Sequence, residues 1–406
     1  MRFRALPGFR DFYPEQMAVR RAIEAAWHQV SRRAGFQEFD GPVVESLELF
    51  TSKSGPEIET QLYAFSDKGE RRVALRPEMT PTLARMVGAR AGGLPKPIKW
   101  YCVPQFFRYE RPQRGRGREF FQWNVDVIGA SEPAADAEVM AVAIDALRML
   151  GLGEQDVVMR VNDRRFLRRM LQSIDVEERE EPEVLGIIDK LERDPAAAKR
   201  LEEQLGEKRA REILGWCERM PLGRAEELES VLEACRDYGV EAYLEPDFKT
   251  VRGLAYYTGP VWEIFDRGTQ LRAIAGGGRY DELIAAFGGP DLPALGFGMG
   301  DVVLRELLQE KGLEPEAPPR VEVFVVPIGP EMLGPARQVL ARLRERGVSA
   351  DAPYGGTKVG KALKAADLIG ARRAVLVGPE EWAEGAVRVK DMASGQEQSV
   401  RLEDLE

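Results

Sequence analysis

Histidine is nearly absent from this sequence: His28 is the single one among 406 residues. Any Ser-His-Asp arrangement would have to use it, and a histidine-rich metal centre cannot be assembled. Its surroundings, AIEAAWHQV, are apolar with helical spacing, so His28 reads as an ordinary helix residue. Cysteine is also scarce. Cys102, Cys217 and Cys235 are scattered without a Cys-x-x-Cys spacing, which excludes a disulfide framework and a thiolate zinc site. No apolar run approaches the roughly 18 residues of a membrane span, and the start, MRFRALPGFRDFYP, has no continuous apolar segment of the signal-peptide kind. No membrane partner and a cytoplasmic location are expected. Excess positive charge is missing too: 58 Lys and Arg against 67 Asp and Glu leave a net charge of -9. That excludes a protein that coats nucleic acid indiscriminately.

The material of a globular core is present, with 44% hydrophobic and 31% charged residues over a length that calls for two or three domains. Two basic patches stand out against the acidic average. One is Arg108, Arg111, Arg114, Arg116 and Arg118, with Glu110 as the lone acid; the other is Lys358, Lys361, Lys364, Arg372 and Arg373, with Asp367. Either alone is a solvated face, whereas the two together suggest a polyanion held at two places.

Periodicity predicts a helix from Pro14 to Gly35, then an extended edge through FQEFDGPVVE. RRVALRPE, KWYCVPQFFRYE and EFFQWNVDVIG read as antiparallel strands, with a mobile polar loop between Pro112 and Arg118, and AADAEVMAVAIDALRML as a helix. Residues 162–237 are densely charged with helical spacing and read as a helical insertion into a sheet that resumes in EAYLEPDF, LAYYTGPVWEIFD and LRAIAGGGRYDELI. The expected division is a sheet-bearing core over 1–161 and 238–312, which the resemblance given below makes the catalytic core, the insertion at 162–237, a Pro- and Glu-rich linker at 313–319, and a C-terminal α/β domain at 320–406.

The chemistry concentrates in FRYERPQRGRGREFFQW. Arg108 ends one strand, and Gln122 and Asp126 on the next share a face by the two-residue period. An arginine suits phosphate because its planar fork donates two hydrogen bonds and keeps its charge.

With these residues in place the chain resembles the class II aminoacyl-tRNA synthetases, and among them the histidyl-tRNA synthetase family. GPVVE, with Pro42, resembles the first class motif, which builds a dimer interface; FRYERPQRGRGREF, with Arg108, resembles the second; LGFGMGDVVL occupies the place of the third. VRGLAYYTGPVWE and AIAGGGRYDELI resemble the two histidine-specific signatures of that family, and RPEMT fits it as well. The resemblance implies an α+β fold: a class II antiparallel sheet of six or seven strands flanked by helices, with a helical insertion and a C-terminal anticodon-binding α/β domain.

It also implies a two-step ligase, active as a homodimer, that joins L-histidine to ATP as histidyl-adenylate and passes it to tRNA(His). Arg108 and Arg252 would be the catalytic cations at the α-phosphate and substrate carboxylate, with Arg116 at the γ-phosphate and Mg2+ serving the outer phosphates. Glu78 and Thr80 would hold the α-amino group. Gln122 and Asp126 would read the imidazole, between Tyr256, Tyr257 and Tyr280. Arg111, Gln113 and Arg114 would touch the acceptor end of the tRNA, and Lys358, Lys361 and Lys364 its anticodon stem-loop.

Two positions depart from the pattern. Val303 stands where the family carries an arginine that clamps ATP, with Arg305 pointing about 200 degrees away on a helix, and Ala255 stands where it carries aspartate. The alternative reading is therefore a synthetase-like regulatory subunit of ATP phosphoribosyltransferase that senses histidine without charging tRNA. That group ordinarily lacks the C-terminal domain present here.

Overall fold

A computed structural model describes residues 3–52, 60–192, 194–252, 256–268 and 271–405. The chain divides into two compact units, Met1–Pro315 and Glu316–Glu406.

The first unit is built on a nine-stranded sheet. Its strands are β1 (Gln37–Glu38), β5 (Ile98–Cys102), β6 (Gln105–Phe107), β7 (Glu119–Ile128), β8 (Val157–Asp163), β9 (Leu244–Pro246), β10 (Pro260–Asp266), β11 (Ala275–Arg279) and β12 (Ala294–Gly300). They run in the order β1-β5-β7-β12-β11-β10-β8-β9, with β6 on β7. The centre is antiparallel, as expected from sequence. The sheet is wider than the six or seven strands expected, because short parallel strands close both edges, β1 along β5 and β9 along β8. A separate three-stranded sheet of β2 (Val44–Ser46), β3 (Ala64–Ser66) and β4 (Arg72–Leu75) lies between β1 and β5 in the chain, in the order β2-β4-β3.

One face of the sheet is closed by the helices Pro14–Arg33 and Pro133–Met149. In the first, Val19, Ile23, Trp27 and Val30 recur at helical spacing and are buried, and Trp27 stacks on Trp123 of β7 at 6.1 Å. Trp123, Val125 and Val127 point into this core. The alternate residues of β7, Gln122, Asn124 and Asp126, therefore point to the opposite face. That alternation is what makes a functional surface on a fully packed strand.

Strand β8, VVMRVND, continues through Asp163, so the helical stretch that sequence places from residue 162 begins at Arg164, where Asp163 caps the helix Arg164–Gln172 by accepting from the Arg165 N–H at 2.7 Å. From there to β9 the described residues form α- and short 3-10 helices.

The second unit is a five-stranded sheet, β13 (Val323–Pro327), β14 (Ala350–Asp351), β15 (Arg373–Val377), β16 (Ala386–Asp391) and β17 (Glu397–Arg401), in the order β14-β13-β15-β16-β17. Val323 and Val325 pack toward the helix Leu333–Glu345, and Phe324 and Val326 toward the helix Val359–Leu368, so β13 is buried on both faces. The parallel α/β part agrees with expectation. The final antiparallel pair adds a hairpin to it, in which β16 is largely buried and β17 mostly exposed.

Candidate active site

Polar side chains from five segments meet over the glycine-rich strands β11 and β12. Asp126 of β7 lies against Gly296 of β12, where an added Cβ would fall 2.3 Å from its Oδ1; Gln122 lies likewise over Gly298, 2.1 Å from such a Cβ. The strand carries no side chains there because the neighbouring strand's polar groups occupy that space. Gln122 donates to Asn124 Oδ1 at 3.0 Å, and the Tyr280 hydroxyl donates to Asp126 Oδ1.

Asp126 is only 3% exposed. Burial lifts its pKa to about 7 from the ordinary 3.8, the Tyr280 hydrogen bond pulling the other way. Its carboxyl therefore sits at the threshold of ionisation near neutrality. Burial likewise raises Tyr280 well above the usual tyrosine range, with the nearby Asp126 charge adding to the effect.

A second carboxylate, Glu78, follows β4. It is buried, which raises its pKa, while the Arg108 guanidinium and a hydrogen bond with Tyr256 lower it. Tyr256 also pairs with the Thr80 side chain and packs edge-on against Tyr280 with centroids 6.0 Å apart. Glu78, Thr80, Tyr256, Tyr280 and Asp126 thus form one connected line. Arg108 is held by its Nε donating to Pro77 O at 2.9 Å and lies over the Phe120 ring at 4.9 Å.

Arg252 enters from the other side. Its backbone is in the left-handed region, φ 59°, a conformation that costs a non-glycine residue on the order of 1 kcal/mol and marks functional positions. Nη1 donates to Glu263 Oε1 of β10 at 2.8 Å, and the guanidinium lies 5.7 Å from the Tyr257 ring centre. Burial opposes its charge, but Tyr257 and Glu263 outweigh burial and its pKa is raised. Its Nε is buried without a hydrogen-bond partner. With Nη1 held by Glu263, the buried Nε is the donor of this guanidinium left to meet an acceptor.

Two buried carboxyl groups on one connected line, with Arg108 at one end and Arg252 entering from the other side, make up the site's charged framework. Comparison with known proteins gives the family. The family model for histidyl-tRNA synthetase matches residues 8–300, and an anticodon binding domain model matches 322–406. The histidine–tRNA ligase of Opitutus terrae is 42% identical, over 100% of this chain and 97% of that protein. The chloroplastic/mitochondrial histidine–tRNA ligase of Arabidopsis thaliana is 41% identical, over 98% and 85%. The solved histidyl-tRNA synthetase of Nostoc sp. PCC 7120 superposes with a TM-score of 0.85 at 27% identity, covering 100% of this chain and 99% of that one. The chain belongs to the histidyl-tRNA synthetase family.

Against that family's expectations, the geometry brings together Glu78, Thr80, Arg108, Gln122, Asp126, Arg252, Tyr256, Tyr257 and Tyr280, drawn from positions as far apart in sequence as 78 and 280. The loop residues Arg111, Gln113, Arg114 and Arg116 are exposed. Arg116 pairs with Glu110 at 2.6 Å, and Gln113 accepts from Arg272 at 2.8 Å. Val303 is buried on the helix Asp301–Glu310, and Arg305 turns away to pair with Glu314 at 2.7 Å, as the helical angle requires. Ala255 lies outside the described residues. In the second unit Lys358, Lys361 and Lys364 are exposed at and along the helix Val359–Leu368.

Sequence reasoning missed Glu263, Arg272, and the packing role of Gly276, Gly296 and Gly298. The signal for the glycines was present, since GGG and GFGMG inside strand patterns mark a close approach of another group. For Glu263 in VWEIF, an acid in an otherwise apolar strand was the cue.

Proposed function

We propose that this chain is a histidine–tRNA ligase that forms histidyl-adenylate from ATP and transfers histidine to the 3' end of tRNA(His). The observation that carries the reading is the line from Glu78 to Asp126 flanked by Arg108 and Arg252, whose buried Nε lacks a partner.

The α-amino group would pair with Glu78 and Thr80, placing a cation where burial otherwise penalises the Glu78 carboxylate. The imidazole would lie between Gln122 and Asp126. Ionised Asp126 accepts a ring N–H, and Gln122 serves the other nitrogen, so a substrate without both nitrogens leaves buried groups unpaired. Tyr256, Tyr257 and Tyr280 close the walls.

With the ring fixed, the substrate carboxylate falls between Arg108 and Arg252. Its oxygen attacks the α-phosphorus of ATP, the bond to the β-phosphate oxygen breaks, and pyrophosphate leaves. The two guanidiniums face the charge that accumulates on the α-phosphoryl oxygens. In the second step the terminal ribose hydroxyl of the tRNA attacks the acyl carbon and AMP departs. Arg116 serves the γ-phosphate, and Arg111, Gln113 and Arg114 the acceptor end. Among the described residues no group of three or more His, Cys, Asp or Glu could hold a metal ion, so Mg2+ would enter on the ATP phosphates. Lys358, Lys361 and Lys364 meet the anticodon stem-loop.

A homodimer is part of this reading. Val43, Val44 and Phe65, beside Pro42 and on the three-stranded sheet, are 45%, 42% and 47% exposed, an apolar surface suited to a second copy. The regulatory-subunit alternative is disfavoured by the full-length likeness to histidine–tRNA ligases and by the matched C-terminal domain.

The deciding experiment is ATP–pyrophosphate exchange with each of the twenty amino acids, followed by charging of tRNA(His). Exchange with histidine alone supports the ligase. Histidine binding without exchange would transfer the chain to the regulatory class.

A further inference from the structure

The loop Tyr109–Arg118 does not hang free over the site. Its tip is docked on the helix Asp301–Glu310. Glu306 Oε1 accepts the Gly115 N–H at 3.1 Å, Arg114 Nε lies 3.4 Å from Glu306 Oε2, and Arg114 Nη2 bonds to Glu310. Val303, Glu306 and Glu310 are spaced i, i+3 and i+7, which puts them on one helix face. Gly115 adopts φ +72°, and a Cβ there would meet Val303 Cγ2 at 3.2 Å, so the loop backbone rests on the valine itself. From the opposite side Arg272, which precedes β11, donates to Gln113 Oε1 at 2.8 Å, with its Cδ 4.0 Å from that same Cβ position. Within the loop, Gln113 and Arg116 bridge to each other. Two elements therefore grip the loop tip at three residues.

We propose that Val303, Glu306 and Arg272 are positioning residues that form a seat for this loop, and that the seated loop delivers Arg116 to the tail of ATP in a chain with no arginine at position 303. Val303 belongs to the seat because it is small and apolar. A guanidinium-bearing chain there would crowd the space in which Gly115 lies, since one carbon added to that glycine already falls 3.2 Å from Val303 Cγ2, closer than ordinary van der Waals contact. Glu306 fixes the height of the tip, and Arg272 with Gln113 fixes its tilt. Arg116, two residues after Arg114, is thereby aimed by a framework that touches no substrate. Position 303 is then a compensated exchange: a fixed cation on the helix has been replaced by a loop bound to the helix.

This inference rests on the ligase reading, and it is tested by two measurements of which one needs no activity. The first is limited trypsin cleavage of the full-length chain after Arg114 and Arg116, followed by mass spectrometry. Seating protects these bonds, and Glu306→Gln and Arg272→Ala should speed their cleavage by about 10-fold while cleavage elsewhere is unchanged. The second is histidine-dependent pyrophosphate exchange. The same variants should raise KM for ATP by about 5- to 20-fold with KM for histidine within about 2-fold, a split that general destabilisation does not produce. Val303→Arg should raise KM for ATP rather than restore a lost contact, with Glu306→Gln as the reference should that variant fail to fold. Unchanged cleavage in Glu306→Gln and Arg272→Ala, or a lowered KM for ATP in a folded Val303→Arg, overturns the proposal. Absence of exchange in the parent chain, with loop protection intact, overturns the ligase reading instead.

Discussion

Arg252 lies across Gly276: a Cβ on that glycine would fall 1.8 Å from Arg252 Nη1. The arginine's position is thus set by a missing side chain on β11 together with Glu263 on β10, the neighbouring strand. Gly276→Ala should displace the guanidinium without touching substrate. Histidine-dependent pyrophosphate exchange should drop by about 100-fold, with the circular dichroism spectrum unchanged. Arg252→Ala should give at least as large a loss. If Gly276→Ala keeps near-parental exchange, Arg252 does not need its observed position.

Asp126 predicts a pH dependence. Its folded-state pKa of about 7 stands above the ordinary 3.8. Protonation therefore favours the folded state, and the stability it contributes is complete below about pH 4 and lost as pH rises through 7. Asp126→Asn should be less sensitive, so its stability relative to the parent should increase between pH 5 and pH 8 by up to about 3 kcal/mol, read from urea midpoints. Catalysis moves oppositely, because the proposed acceptor is the ionised carboxylate. The variant should bind histidine poorly at pH 8. A parallel pair of stability curves would show that Asp126 titrates normally.

Arg279 ends β11 and is paired inside the protein with Asp136 of the helix Pro133–Met149, the side chains being 6% and 5% exposed. The same guanidinium reaches Ala130 O at 3.0 Å and Asp281 at 3.2 Å. Arg279→Met leaves Asp136 buried and alone, and should cost about 3–5 kcal/mol in chemical denaturation. Arg279→Met with Asp136→Leu should recover most of that. Equal instability in the single and double variants would mean that the cost comes from the lost hydrogen bonds rather than from a stranded charge.

Removing Lys358, Lys361 and Lys364 together should leave pyrophosphate exchange unchanged and weaken charging through KM for tRNA(His). The slope of log affinity against log salt should become shallower by about 2, since three cations are lost. An unchanged salt slope would place the anticodon contact on another face of the second unit.

The central strands, and in the candidate pocket Gln122 and Asp126, were legible because they obey the two-residue period. Trp123, Val125 and Val127 alternate with Gln122, Asn124 and Asp126, and that pattern alone separates a core face from a polar face. Strand β8, VVMRVND, was not read, because its near-continuous apolar run carries no alternation by which a short strand can be told from a buried helix. The edge strands β1 and β9 are too short to have a pattern; their pairing partners define them. The convergence of Glu78 with Tyr256 and of Arg252 with Gly276 follows from strand order, which local periodicity does not encode. Motif resemblance supplied that part. The docking of Gly115 on Val303 was legible in neither way, since it depends on a tertiary contact between a loop and a helix that lie 188 positions apart.

The floor of the proposed histidine pocket is backbone, and on that reading this limits how the protein can change its substrate. A floor of side chains could be lowered or raised one methylene at a time, giving neighbouring variants with slightly larger or smaller ligands. A floor of Gly276, Gly296 and Gly298 has no smaller residue to move to, and each larger one collides with Arg252, Asp126 or Gln122. Selection can therefore shift the walls, at Tyr256, Tyr257 and Tyr280, but must leave the base where it is. Attempts to redirect the enzyme to bulkier ring amino acids should begin at those tyrosines and treat the three glycines as immutable.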